Sequence, residues 1–285
     1  MNPRPAAYEA KKRKSRLEKA GNSLVRRVYK LVGPFLTRQG INDFYSWLVN
    51  ERGVTERWAR NVCYYMNKPL DLKKRHPVKA YRLFLIYLNQ KYEIEVDDLL
   101  KQLKTPQSGQ DLKIPSDAAI LESYNKIRRL ENRKLENVFL VLVYSGIRLS
   151  EVTKMFNEYD RSRLEIRDGI ALYEMAWRRG SKNIYYIFMP SWLAERIEKT
   201  SMGYDYYQTM SKRHGLVRAK YIRKFHAQKF YEICENSDVV NFVQGRSFTG
   251  KKTVIFTHYV VLLNKSLKYY KAYAEWLQNF LKIRT

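Results

Sequence analysis

The spacing of apolar residues divides the chain into two helical stretches, with a short β-like interruption inside the second. From residue 23 to about residue 103 the apolar positions recur every three or four residues: Leu24, Val25, Val28 and Tyr29; Phe44, Tyr45 and Leu48; Trp58, Val62 and Tyr65; Tyr81, Phe84, Leu85 and Leu88. That period puts them on one face of each helix. Gly33-Pro34, Gly53, Pro69 and His76-Pro77 interrupt it, and the stretch predicts a compact bundle of four or five helices. The run Thr105-Pro106-Gln107-Ser108-Gly109-Gln110-Asp111 has no apolar residue and combines proline, glycine and serine, as a linker does.

Beyond it, Ser116-Asp117 reads as a helix start, and residues 118–130 and 135–144 again show helical spacing. Residues 170–177 and 184–189 are short and rich in aromatic and β-branched side chains, flanking Arg178-Arg179-Gly180-Ser181-Lys182-Asn183. They predict a β-hairpin with a basic tip. Helices are expected again at about 191–200, 218–235 and 237–244, with a last one at 267–283. The fold class expected is therefore mostly α (α+β), divided as a basic arm at 1–20, a helical bundle at 21–104, a linker at 105–114 and a mostly helical domain with one small antiparallel sheet at 115–285.

Charge narrows what such a chain does. With 54 Lys+Arg against 28 Asp+Glu the formal charge is +26, far beyond what solubility requires, and the partner expected is a polyanion. Both halves are basic, which suits two domains enclosing one nucleic acid. Lys11, Lys12, Arg13, Lys14, Arg16 and Lys19 make the arm, read either as DNA-ordered or as a solvated tail. Cys63 and Cys234 are the only cysteines, so neither a disulfide framework nor a thiolate zinc site is expected. The N-terminus has no apolar leader pattern, and no run of eighteen apolar residues occurs. An intracellular, cytoplasmic protein is expected, with no membrane span.

Two arginines carry the candidate chemistry. Arg148 lies in Ser145-Gly146-Ile147-Arg148-Leu149-Ser150-Glu151, where glycine ends one helical pattern and the arginine begins the next. Arg223 lies in Lys220-Tyr221-Ile222-Arg223. A guanidinium forks two N–H groups onto two oxygens of one phosphate, so arginines from two segments can clamp one phosphodiester. No Asp-x-Asp, His-x-x-x-His or acidic cluster lies beside either, and metal-dependent cleavage has little support. A covalent route through tyrosine remains, with a lysine to protonate the departing 5′ oxygen; Lys182 is the only lysine in the hairpin turn.

These residues resemble the boxes of the tyrosine recombinase (phage-integrase) family. The segment around Arg148 is similar to the family's Thr-Gly-Leu-Arg-x-x-Glu, and Lys220-x-x-Arg223 to its second box, usually headed by histidine but by lysine or tyrosine in integrases of archaeal viruses and plasmids. Gly245-Arg246 stands where the family commonly has Gly-His or a tryptophan. Ile255-Phe256-Thr257-His258 is similar to its Ile-Tyr-Thr-His. The resemblance covers about 115–285, and it implies that the 21–104 bundle is a core-binding DNA-binding domain.

It further implies a site-specific recombinase that cuts and rejoins double-stranded DNA through a 3′-phosphotyrosine, as a homo-tetramer on DNA, with no metal or cofactor. Arg148 and Arg223 would hold the phosphate, Lys182 would act as acid, and Lys220 and Arg246 would add charge stabilisation; Arg179 aligns nearly as well as Lys182. At the nucleophile position stands Phe256, which has no hydroxyl. Three readings follow: a Tyr→Phe replacement that keeps binding and blocks chemistry, a nucleophile displaced to Tyr259, or a DNA-binding protein without cleavage. A type IB topoisomerase or telomere resolvase would use similar chemistry. His226 and His258 read as core or surface residues, and Glu151 as a group that orients helix or arginine. The last helix offers Tyr270, Tyr273, Trp276, Leu277 and Phe280 on one face, for a neighbouring protomer as the resemblance implies, or for packing within the chain.

Overall fold

The computed structural model describes residues 23–107, 109, 111–179, 182–246 and 255–283, without the side chains of 178, 179, 182, 183 and 255–260. The basic arm at 1–20 lies outside the described residues. The chain divides into two compact units, Met1–Asp111 and Leu112–Thr285.

The first unit contains α1 (Ser23–Val32), α2 (Arg38–Ser46), α3 (Glu56–Met66), α4 (Arg75–Tyr92) and α5 (Asp97–Gln102), with a π-helical turn at Trp47–Glu51 continuing α2. Thr37 and Thr55 begin α2 and α3 by accepting the backbone N–H groups of Gly40 and Trp58, donors that a helix start otherwise leaves unpaired. The apolar face of each helix meets the others in an aromatic core. Phe44 and Phe84 pack edge to face at 4.9 Å, and Tyr29 meets Tyr81 at 5.7 Å. Tyr29 keeps its hydroxyl satisfied in that core by accepting the Leu70 N–H at 2.7 Å.

The second unit is built around α7 (Arg133–Ser145), buried along its whole length from Asn137 onward. A helix apolar all round belongs at the centre of a domain. Around it lie α6 (Asp117–Arg129), α8 (Leu149–Asn157), α9 (Ser191–Glu195), α10 (Tyr206–His214), α11 (Ala219–Cys234), α12 (Ser237–Val243) and α13 (Ile255–Leu281). Ser116 caps α6 as its position suggests, accepting the Ala119 N–H at 3.3 Å.

A three-stranded antiparallel sheet covers one side in the order β1 (Leu164–Arg167), β2 (Ile170–Arg179) and β3 (Lys182–Pro190). Tyr173 pairs with Leu164 on one side and Ile187 on the other. The expected hairpin is β2–β3, and its register shifts between Glu174 and Trp177, where Ala176 takes a φ of 42°. A bulge of this kind bends and twists the arm that carries the basic tip.

Four expectations about the elements change, and the last helix takes one of its two readings. The sheet gains β1, whose residues are mostly exposed and therefore carry little alternating pattern. The helix α10 was not expected; the one at 191–200 shortens to Ser191–Glu195. The last helix begins at Ile255 rather than 267. Its face is also not open: Tyr270, Tyr273 and Leu277 are buried in their own unit, and the Tyr270 and Tyr273 hydroxyls donate to the carbonyls of Tyr144 (3.0 Å) and Val143 (2.7 Å). The helix packs within the chain, because these phenols complete hydrogen bonds at the end of α7. No helix among the described residues is long and apolar enough to cross a membrane.

Candidate active site

The site begins where α7 stops. Gly146 adopts a left-handed conformation (φ 61°) and its N–H closes the helix on the Leu142 carbonyl at 3.0 Å. Two residues later Arg148, in extended conformation, is the N-cap of α8. An arginine has no acceptor with which to cap; Glu151 does the work instead, its Oε2 accepting the Arg148 backbone N–H at 2.6 Å while Oε1 accepts from Arg148 Nη1 at 2.7 Å. The same Nη1 also donates to the Gly245 carbonyl at 2.9 Å. These bonds lock the guanidinium in one place before any ligand arrives, the preorganisation that electrostatic stabilisation needs.

Arg223 comes from the second turn of α11, and its Nη1 lies 3.8 Å from Glu151 Oε2. The side chain is 13% exposed and the carboxylate 4%. Nη1 is buried and meets no hydrogen-bond acceptor among the described residues. An unsatisfied buried N–H of a charged group costs more than one in water. It is met cheaply by an oxygen anion from outside. Burial, then the neighbouring Arg148, with Arg246 adding to them, push the Arg223 guanidinium down to about 9 against a smaller opposing pull from Glu151. Arg246, half-buried after α12, is lowered too, by burial and by Arg148. Two guanidiniums thus share the Glu151 carboxylate, with Arg246 close enough to feel Arg148, and the site keeps net positive charge in a partly dry place.

Arg148, Lys220 and Arg223 line one hollow of about 610 Å3. The two arginine boxes, distant in sequence, therefore converge. Lys220 sits in the first turn of α11 with its ammonium 5.4 Å from the centre of the Tyr221 ring. Lys182 begins β3 opposite Arg179; both side chains lie outside the described residues. Phe256 is the second residue of α13, and Tyr259 and His258 follow on the same helix. Their side chains also lie outside the described residues.

Behind the arginines lies a support that the motifs did not disclose. Gln244 Nε2 donates to the Arg223 carbonyl and to His226 Nδ1, both at 2.9 Å. Because a carbonyl only accepts, the amide nitrogen must face it, which leaves Nδ1 as the acceptor and the ring proton on Nε2. Burial and the charge of Arg223 lower His226 to about 3, so the ring is neutral. Gly146 completes the stack: a Cβ there would come within 2.4 Å of His226 Cγ and Nδ1 and 2.7 Å of Gln244 Nε2. Gly146, His226 and Gln244 hold together the three segments that carry Arg148, Arg223 and Arg246. No group of three or more His, Cys, Asp or Glu that could hold a metal occurs among the described residues.

The sequence profile of the archaeal phage integrase family matches residues 112–276. No curated protein matches the chain. Among solved structures the chain is similar to an integrase from mycobacterium phage Brujita, at 13% identity over 93% of this chain and 91% of that one with a TM-score of 0.38. It is also similar to the XerA recombinase, at 13% identity over 98% and 99% with a TM-score of 0.33.

Proposed function

Given that the chain belongs to the archaeal phage integrase family, we propose that its second unit grips one phosphodiester of double-stranded DNA between Arg148 and Arg223, for strand cleavage and rejoining at a specific site. The observation that carries this reading is the buried Nη1 of Arg223, which has no hydrogen-bond acceptor among the described residues, beside the fixed Arg148 in one basic hollow. Two guanidiniums supply the in-plane N–H pairs that a phosphate's non-bridging oxygens accept. Arg246 and Lys220 add charge that opposes the negative charge growing on those oxygens as phosphorus becomes five-coordinate.

Position 256 holds the nucleophile in this scheme. With tyrosine there, the phenolic oxygen bonds to phosphorus, its proton passes to water, the bond to the 5′ oxygen breaks, and Lys182 gives that oxygen a proton. The DNA is left joined through a 3′-phosphotyrosine, and attack by another 5′ hydroxyl reverses the step. Phe256 lacks the oxygen, so the chain with phenylalanine binds and holds the phosphate without cutting it. Exchange between two duplexes takes four strand transfers, and a homo-tetramer on DNA is the assembly that follows.

The test is Phe256→Tyr with supercoiled plasmid DNA, trapping protein–DNA adducts in detergent and mapping the phosphotyrosine. Attachment through residue 256, with joining of two duplexes, supports a recombinase. Relaxation without joining identifies a type IB topoisomerase, and neither outcome leaves a DNA-binding protein on the same scaffold. Attachment by the chain with Phe256 intact would move the nucleophile to Tyr259.

A further inference from the structure

The concave surface continues past the residues just given roles. Gln208 and Lys212 of α10 and Arg218 at the N-cap of α11 line the same hollow as Arg148 and Arg223. A more open depression along α10 shares Gln208 and Lys212 and is completed by Asp205, Thr209 and Arg213. Gln208 and Lys212 are four residues apart on one helix and so share a face. Both Lys212 and Arg218 are exposed, and no carboxylate lines the first hollow among the described residues.

Helix electrostatics accounts for part of this and fails for the rest. Lys212, Arg213 and His214 fill the last turn of α10, where the negative end of the helix dipole favours cations. Arg218 sits at the opposite kind of place, the positive end of α11, and makes no capping bond there. A short hydroxyl, amide or carboxylate side chain is the stabilising choice at such a position. An arginine there costs stability, and its use must lie elsewhere.

Charge counting points to the occupant. One phosphodiester carries a single negative charge, which Arg148, Arg223 and Arg246 against Glu151 already more than balance. Lys212 and Arg218 are two further cations on the same surface. Along one DNA strand phosphates follow each other at about 3.4 Å of helix axis, so a strand laid over Arg148 brings another phosphate beside the first. A hollow of about 610 Å3 falls in the range that takes a ligand of nucleotide size rather than one phosphate group.

We infer that Lys212 and Arg218 grip a second phosphate of the same strand, adjacent to the one held by Arg148 and Arg223, so that the register of the strand is set before chemistry. They are positioning residues, and the inference rests on the reading of the hollow given under Proposed function. Gln208 adds a neutral donor on the same face.

Ethylation interference maps the contacts, using the full chain and a duplex selected from a random-sequence pool by repeated rounds of binding to it. The parent chain shows interference at adjacent phosphates of one strand. Lys212→Ala with Arg218→Ala removes interference at one of them, leaves the other, and lowers the slope of log affinity against log salt by about 0.9, the share of one phosphate. Lys212→Arg with Arg218→Lys restores the parent pattern. An unchanged pattern in the alanine variant overturns the inference, as does a uniform weakening at every phosphate. Adduct formation by Phe256→Tyr is scored separately: adducts with an unchanged interference pattern sink only the second-phosphate grip, whereas no adducts with the expected pattern sink the strand-transfer reading and leave the grip standing.

Discussion

Replacing Gly146 by alanine tests whether the support behind the arginines is as tight as the geometry requires. The residue has φ 61°, and its added Cβ would lie 2.4 Å from His226 Cγ and Nδ1 and 2.7 Å from Gln244 Nε2. The left-handed backbone costs about 1–2 kcal/mol for a residue with a side chain. Relieving the overlap costs about 1–3 kcal/mol, and displacing Gln244 from His226 loses a hydrogen bond of about 1 kcal/mol. The sum is about 3–6 kcal/mol, or about 6–24 °C in Tm for a domain of this size. Gly215 provides the control. It closes α10 with the same φ of 61°, yet its nearest foreign atom is Lys126 Nζ at 3.9 Å. Gly215→Ala carries only the backbone cost, about 1–2 kcal/mol. Scanning calorimetry of the full chain reads both variants, with the transition of the first unit as internal reference. Equal losses in the two variants would mean that the backbone alone accounts for both and that His226 and Gln244 do not press on position 146.

His226 gives the second unit a pH dependence. Its folded value of about 3 lies below the ordinary 6.5, so below pH 6.5 the unfolded chain takes up a proton that the folded chain refuses. The stability is complete above 6.5 and falls as pH drops from there toward 3, by up to about 1.4 kcal/mol per pH unit. Urea unfolding between about pH 5 and 6.5 should show this slope, and His226→Gln should flatten it; the same slope in both proteins would mean that the ring is not buried neutral. Tyr273→Phe leaves the Val143 carbonyl without its 2.7 Å donor and should cost about 1–3 kcal/mol, read as a lower urea midpoint; no change would mean that α13 is not seated on α7 as described.

The two arginine boxes were legible because their chemistry is local: a glycine that ends a helix, an arginine at the next start, a carboxylate one turn on. Glu151 was read as an orienting group, and it orients two arginines instead of one. What the sequence could not disclose depends on contacts between distant segments. Gln244 precedes the Gly245-Arg246 pair with nothing to mark it, and its role appears only when α11 brings His226 and the Arg223 carbonyl to its amide. The helix α10 escaped notice because Tyr206-Tyr207-Gln208-Thr209-Met210-Ser211-Lys212 offers few apolar residues to reveal a period, and with it went Lys212. The start of α13 was missed for the opposite reason: Ile255 to Leu263 is apolar almost throughout, and a helix without a polar face shows no periodicity. Hairpin and bulge differ in the same way, since alternation foretells pairing while the shift at Glu174 arises in the ladder itself.

The proposed function requires Arg148 and Arg223 to hold one and the same phosphate. A structure of the chain, with Phe256 as it stands, bound to duplex DNA measures this directly. Nitrogens of both guanidiniums should lie at about 2.7–2.9 Å from oxygens of a single phosphodiester, with Glu151 still between them. Arginines resting on different phosphates, or Arg223 Nη1 left without an oxygen, would contradict it.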